Sequence, residues 1–461
     1  MASRRAKSRD RTSPQPTIER HFPPPMTNTA TSAAGSAPRQ YTHPLVFLLL
    51  IIPFGAATGF LGVTIVYLLG KAGVNPLTIG LLTGLSYLPQ TLKFLYAPLV
   101  DLTFTRKQWF VMASIASAAS MALLGSVPAT EAGLPWLRVL VIANSLATAF
   151  LSMAVESLLA YNSAPHEMGR TAGWFQAGNL GGNGLGGGLA LVIAENTSLP
   201  WLPGVVLATV CLLSGIAILY TTEPEQRQPA LSEGPQHAET QSHASAAWRA
   251  IKQVLLDLWQ VASSRMGYLG LLICFLPIGS GAGANLFPLF ATEWGATAND
   301  VAATSGALSG LLSALGCMVG GYYCDRMDRK LAYAVFGLIM AACAAAMAWA
   351  PHNLNMYYAF VLSYGFISGL CYASFTAVVL ETIGTGAAAT KYSIFASLSN
   401  TPIAYMGIMN SYFYDRSGSN AGLYSDAAMG VAGVLVFLLI SVATKSLHNQ
   451  YLQRRQAVGR V

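Results

Sequence analysis

The chain is patterned as long apolar stretches separated by short turns that are polar or rich in Gly and Pro. A helix rising 1.5 Å per residue needs about 20 apolar residues to cross the hydrocarbon core of a bilayer. Twelve stretches meet that length, near residues 43–70, 76–99, 109–128, 135–161, 168–194, 200–220, 266–291, 299–323, 331–350, 355–380, 390–413 and 424–446. The pattern predicts an all-α membrane protein of twelve transmembrane helices. Residues 221–265, polar at first and then amphipathic, divide these into two six-helix bundles, residues 43–220 and 266–447.

The flanks read differently. Residues 1–42 carry seven Arg and Lys residues among Ser, Thr, Pro and Ala, a mixture that cannot bury a core, so a disordered cytoplasmic tail is expected. No apolar stretch lies near the start, as a cleaved signal peptide requires, and the SRRAKS run lacks the apolar follow-through of a twin-arginine signal. The Arg- and Ser-rich composition also fits a transit segment, and Met26 fits an alternative start. Residues 448–461 form a second basic tail.

Composition agrees with the spans: 53% of residues are hydrophobic, 10% are charged, and mean hydropathy is +0.48. Soluble domains carry about 25% charged residues. The net charge of +7 raises nucleic acid as a partner, but no basic face interleaved with aromatics occurs, and topology explains the charge better. Lys and Arg accumulate in cytoplasmic loops. An internal N-terminus places all but Lys71, Lys93, Arg138 and Arg416 of the 26 Lys and Arg residues on the inner side, and an even helix number returns the C-terminus there. The six cysteines lie singly, without CxxC spacing, and the seven histidines form no metal set, so no metal or cofactor is expected.

Ionisable groups inside spans are costly and usually face a cavity or a partner. Lys93 on the second span and Glu156 on the fourth sit at similar depth, toward the inner third. They suit an ion pair, or Glu156 suits binding a proton or a cationic solute group; the bland alternative is a snorkelling lysine and an interfacial acid. Glu381, nearer a span end, is a weaker candidate. Gln90, Asn144, Gln176, Asn179, Asn183, Asn285, Asn400 and Asn410 are too many for lipid-facing surface. With Tyr67, Tyr357, Tyr358, Tyr364 and Tyr405 they suggest a wet cavity for a hydrogen-bonding solute, although each is individually better suited to bridging helices than to touching solute.

Two loops carry the most specific pattern. Gly321-Tyr-Tyr-Cys-Asp325-Arg326-Met-Asp328-Arg329-Lys330 comes after the eighth span and fits GxxxDRxxRK, with Asp328 where Gly is usual. A degenerate counterpart, Ala97-Pro98-Leu99-Val100-Asp101 and then Arg106-Lys107, comes after the second. Paired loops at equivalent places in two six-helix halves resemble the signature of the major facilitator superfamily. The resemblance implies a gate in which Asp101 faces the start of the eleventh helix near Lys391, and Asp325 the start of the fifth near Arg170 and Thr171. An Asp accepting from exposed helix N–H groups contributes about 0.3–2 kcal/mol, weak enough to open in every cycle.

The fifth span contains Gly178-Asn-Leu-Gly181-Gly182-Asn183-Gly184-Leu-Gly186-Gly187-Gly188, and the eighth Gly306, Gly310, Gly316, Gly320 and Gly321. A nucleotide loop is excluded because GxGxxG requires a preceding strand. Small residues four apart let membrane helices approach, and the resemblance implies that these two spans meet between the halves, as a moving or a static contact.

Leu88-Pro89-Gln90-Thr-Leu92-Lys93-Phe94-Leu95-Tyr96-Ala97-Pro98-Leu99-Val100-Asp101 is similar to the muropeptide permease and acetyl-coenzyme A transporter branch, as is Ala389-Thr390-Lys391-Tyr392-Ser393-Ile394-Phe395-Ala396-Ser397-Leu398-Ser399-Asn400. The resemblance implies a monomeric secondary transporter in a bacterial inner (plasma) membrane, both termini cytoplasmic. Its expected partners are membrane lipid, a small organic solute and protons, with muropeptides, drugs and siderophores all in range. A membrane enzyme would need a cluster of His, Asp or Glu at one face, which is not found; a transport-dead receptor would need a folded appendage or a lost gate. No GxxxxGK[ST] loop for an ATP-driven pump occurs.

Overall fold

The computed structural model describes residues 41–163, 168–222, 265–383 and 394–458, with Trp248, Lys252, Leu256 and Trp259 between them. The expected tail before residue 41, most of the 221–265 linker, and Lys391 lie outside the described residues. The described residues contain no strand. Helices of the first half are α1 (Leu45–Lys71), α2 (Pro76–Leu102), α3 (Arg106–Ser126), α4 (Leu134–Asn162), α5 (Met168–Gly184, continued by Leu185–Leu189 and Ala190–Asn196) and α6 (Leu202–Tyr220). The second half contains α7 in pieces from Arg265–Phe275 to Ala291–Trp294, α8 (Ala298–Cys324), α9 (Arg329–Trp349), α10 (Leu354–Ile383), α11 (Asn400–Ser417) and α12 (Ser419–Val458). Eight are long and apolar enough to cross a membrane by length and composition. The other four, α2, α5, α7 and α11, are richer in polar side chains or are broken.

Short polar residues start the helices by accepting from otherwise orphaned N–H groups. Asn75 Oδ1 accepts from the N–H groups of Leu77 and Thr78 at the start of α2, and Asn353 Oδ1 from that of Met356 in α10. Thr105 with Gln108, and Thr297 with Asp300, form reciprocal capping boxes on α3 and α8. Asp328, the residue that departs from the loop pattern, caps α9 by accepting from Leu331 N–H at 2.9 Å.

The seventh span is not the continuous helix its hydropathy predicts. The first segment of α7 stops at Phe275, and the chain passes through Leu276-Pro277-Ile278-Gly279-Ser280-Gly281 before a tighter helix begins at Ala282. Pro277 has no N–H to donate, and Gly279 and Gly281 adopt φ of +59° and +73°, a region that side chains with a Cβ disfavour. Groups freed in a membrane need partners from elsewhere in the protein. Tyrosines from three helices supply them: Tyr405 donates to Phe275 O at 2.8 Å, Tyr333 to Ile278 O at 3.3 Å, and Tyr357 to Phe287 O at 3.1 Å. A fourth, Tyr364, accepts from Gly283 N–H at 3.1 Å.

Glycines set the spacing of the remaining helices, and the α5 run serves two neighbours rather than one. A Cβ on Gly178, Gly182 or Gly186 would collide with the carbonyl oxygens of Leu48, Ile52 and Ala56 respectively, so this stripe packs on α1 inside the same half. Gly184 and Gly188 instead face Ala307 and Ala302 of α8 across the two halves. On α8, Gly306 faces Gly188 while Gly316 and Gly320 pack on α10. The α1, α5 and α8 segments Phe60–Ile65, Leu185–Leu189 and Ala302–Leu308 each form a π-helical turn, and the three turns meet. A π turn misaligns carbonyls, and Thr64 Oγ donates to Gly186 O and Gly187 O at 2.9 and 3.2 Å.

The three π turns and the Gly184–Ala307 and Gly188–Ala302 contacts lie at the end of the bundle opposite the loops 103–105 and 325–328, the basic end that bears Arg106, Lys107, Arg326, Arg329 and Lys330. There the halves also meet where Gly70 of α1 faces Leu289 of α7 and where Gly80 of α2 faces Ser411 of α11. The two halves are thus pressed together at one end. Gly186→Ala forces α1 from α5 and is expected to lower detergent stability by about 1–3 kcal/mol. Gly321→Ala, with open space around its Cβ, is expected to stay within about 0.5 kcal/mol of the parent. Thermal unfolding followed by intrinsic fluorescence checks both; equal losses would contradict the packing described.

Candidate translocation site

Between the halves lie two adjoining cavities of about 360 and 620 Å³. The first is central and is walled by residues of α1, α2, α4 and α5 on one side and α7, α8, α10 and α11 on the other. The second shares Gln90, Asn179, Ser280 and Asn400 with it and extends toward the basic loops, reaching Lys93 and Glu156. Volumes of this order match sites for organic molecules.

The structure brings the seven candidate solute or proton residues to these walls. Gln90, Asn144, Asn285, Tyr364 and Asn400 line the central cavity; Lys93 and Glu156 line the second, with Gln90 and Asn400 again. Their hydrogen bonds separate them. Asn144 Nδ2 donates to Ser120 Oγ and Ser117 O at 2.8 and 3.2 Å, and Gln90 Nε2 to Ser145 O at 3.2 Å, so these amides fasten α4 to α3 and α2. Asn400 Nδ2 donates locally, to Ser397 O at 3.0 Å. Asn285, from the second half, faces Tyr87 of the first across the central cavity.

Lys93 Nζ and Glu156 Oε1 pair at 3.2 Å, with side chains 12% and 44% exposed. Of the three readings of these charges, the geometry forms the pair, a snorkelling lysine does not describe a side chain so covered, and Glu156 at 44% exposure stays open to a proton or a cationic group. On the basic side Gln176 of α5 donates to Tyr372 Oη of α10 at 3.3 Å, a thin link between the halves compared with the close backbone approach at the other end.

Among the loop residues assigned to gating, Arg106 Nε donates to Ser157 Oγ at 2.5 Å, tying α3 to α4, and Lys107 is half-buried beside it. Arg326 lies 3.5 Å over the Tyr322 ring and donates to Tyr322 O. Arg329 and Lys330 open α9, and Gly321 precedes the end of α8 with nothing near its Cβ. Asp325 is the exposed residue ending α8. The side chains of Asp101, Glu381 and Arg170 lie outside the described residues, and with them the expected Asp101–Lys391 and Asp325–Arg170 contacts; Thr171, at the start of α5, is buried.

One group at this site was not among the candidates. Asp426 of α12 is 6% exposed, and its carboxylate accepts from Asn410 Nδ2 at 2.8 Å and from Tyr364 Oη at 2.9 Å. The hinge residues Ser280 and Gly281, which line the central cavity, were also missed. No group of three His, Cys, Asp or Glu side chains among the described residues is placed to hold a metal.

The described helices, in two halves around a polar cavity closed at one end, define a membrane transporter. Residues 47–407 match the family model described as Major Facilitator Superfamily, and the chain belongs to that family. Its fold is shared by solved transporters. A D-xylose–proton symporter superposes with TM-score 0.65 at 15% identity, covering 86% of this chain and 96% of that one. A point mutant of the nucleoside transporter NupG gives 0.62 at 12%, covering 86% and 98%. The xylose transporter XylE from E. coli, partially occluded and inward open, gives 0.62 at 16%, covering 85% and 95%.

The Lys93–Glu156 pair yields a stability test. Lys93→Met and Glu156→Gln each strand a partner in a half-covered site and are expected to lower stability, while the double variant recovers. Because Glu156 is half exposed, the coupling expected from a double-mutant cycle is about 0.5–1 kcal/mol. Additive single effects in detergent unfolding would show that the two charges act apart.

Proposed function

We propose that this protein is a secondary active transporter that moves a hydrogen-bonding organic solute by alternating access, driven by protons. The observation that carries the reading is the central cavity, polar on both walls and shared by two halves that are pressed together at one end. Rocking the halves to close the basic end and part the other would expose the same wall residues to the other side, which is what a single-site carrier needs. Asn285, Tyr364 and Asn400 contact solute in this scheme. Lys93 and Glu156 sit where the second cavity reaches the basic end, placed to receive a charged solute group or a proton.

Proton coupling is supported by the Lys93 ammonium and Glu156 carboxyl groups that face the second cavity. A D-xylose–proton symporter and a nucleoside transporter share the fold, and D-xylose and nucleosides are rich in hydroxyl groups, consistent with a polar cavity. The α2 and α10–α11 sequence runs similar to the muropeptide permease and acetyl-coenzyme A transporter branch place a muropeptide first among solutes to try. The basic end is assigned to the cytoplasm of a bacterial inner membrane by its Arg and Lys residues, and the loops around Asp101 and Asp325 are assigned to gating there.

A ligand that binds the folded state raises its apparent stability by RT ln(1 + [L]/Kd), about 2.7 kcal/mol at a hundredfold excess over Kd. Thermal-shift measurement against anhydromuropeptides, D-xylose, uridine, siderophores, acyl-coenzyme A and cationic drugs is expected to give one class of solute that stabilises the parent and fails to stabilise Asn285→Ala. Uptake of that solute into proteoliposomes should respond to an imposed proton gradient. No stabilising solute, or uptake indifferent to the gradient, contradicts binding or coupling respectively. Labelling of a cysteine at Phe104 from outside intact cells would reverse the assigned orientation.

A further inference from the structure

We propose that Asp426 is a proton-binding site wired through Tyr364 to the hinge of α7, distinct from the Lys93–Glu156 pair at the far end of the second cavity. The assignment rests on the proposed proton-coupled transport and names a residue that carries the proton.

The geometry is specific. Asp426 lies seven residues into α12, two helical turns from Ser419, and its side chain is turned inward against α11, α10 and the start of the second part of α7. Neither ion pair among the described residues, Lys71–Glu195 or Lys93–Glu156, includes it. The titratable groups facing it are Tyr364 of α10 and Cys343 of α9, and Asn410 is its neutral neighbour on α11. A carboxyl group held by neutral donors in a membrane protein is expensive to keep for structure alone. Its charge is sensitive to any motion that removes those donors.

The connection to the cavity is equally direct. Tyr364 donates to Asp426 Oδ2, accepts from Gly283 N–H just after the α7 break, and lines the central cavity. A Cβ on Gly283 would lie 2.8 Å from Asp426 Oδ2, so backbone and carboxylate are in contact. When a proton arriving through the cavity forms an O–H bond on Oδ2, that oxygen becomes a donor and a much weaker acceptor, which favours Tyr364 Oη turning to accept from it. Tyr364 Oη then takes the new O–H as well as the Gly283 N–H, which weakens its bond to the backbone. Proton binding is thereby read out as a change at the residue next to the hinge, two positions from Asn285.

Infrared difference spectroscopy of the purified protein between acidic and alkaline buffer, with no solute present, tests this directly. A component of the carboxylic-acid carbonyl absorption that appears on acidification, isolated by subtracting the variant's difference spectrum from the parent's, is expected to be missing in Asp426→Asn and to persist in Glu156→Gln. Tyr364→Phe should keep that component but shift its frequency, because one hydrogen bond to the carboxyl is gone; this variant also serves if Asp426→Asn does not fold. Identical carbonyl absorption in the parent and Asp426→Asn overturns the site. An unshifted band in Tyr364→Phe overturns the link to the hinge. Because no solute is used, these failures leave the transport reading standing, and failure of the solute panel leaves this site standing.

Discussion

A backbone broken inside a membrane must find hydrogen-bond partners within the protein, and the break in α7 is the point on which the second half is organised. Pro277 and the two left-handed glycines end one helix and start another, and the freed groups are met by tyrosines on α9, α10 and α11. Those tyrosines fix where the three helices stand relative to α7. The same obligation leaves Ser280 and Gly281 facing the central cavity, so the segment least constrained by helical bonds is also the one in reach of a solute. Broken helices beside a central site combine ligand contact with a hinge.

Close packing through glycine supplies the complementary constraint. Where α5 meets α1, backbone carbonyls lie against glycine Cα positions, which holds the first half rigid. Where α5 meets α8 the contact joins two halves and is confined to one end, beside three π-helical turns. That contact is made by glycine and alanine, so the surfaces can separate there without exposing buried charge. At the opposite end a cavity, an ion pair and a glutamine–tyrosine link take the place of glycine packing. Rigid halves, a seam closed at one end and a polar cavity between them are the physical ingredients of alternating access.

Much of this was legible in the sequence. Apolar length revealed the twelve spans, because a bilayer imposes one length on every helix that crosses it. Gln90, Lys93, Asn144, Glu156, Asn285, Tyr364 and Asn400 stood out because polar groups in apolar runs have few places to go. The α7 break was hidden because hydropathy averages over Leu276-Pro277-Ile278-Gly279 and registers only that it is apolar; the Pro-x-Gly-x-Gly spacing was the available signal. Asp426 was hidden by a boundary. Placing the twelfth span at 424 leaves it at the membrane surface, whereas α12 begins at Ser419 and carries it two turns deep. The pairing of the α5 glycines with α1 as well as α8 is a matter of which side of the helix faces which neighbour, and only the packed structure resolves that.

Alternating access requires the two ends of the seam to move in opposite senses. Spin labels placed, in a background lacking the six native cysteines, at Ser198 and Asn299 across the closed end and at Phe104 and Tyr323 across the basic end report both separations by pulsed electron resonance. Two distance populations are expected at each end, with a change of pH in lipid nanodiscs lengthening one pair as it shortens the other. Distances that are single and unchanged at both ends, or that lengthen together, would contradict alternating access by this protein.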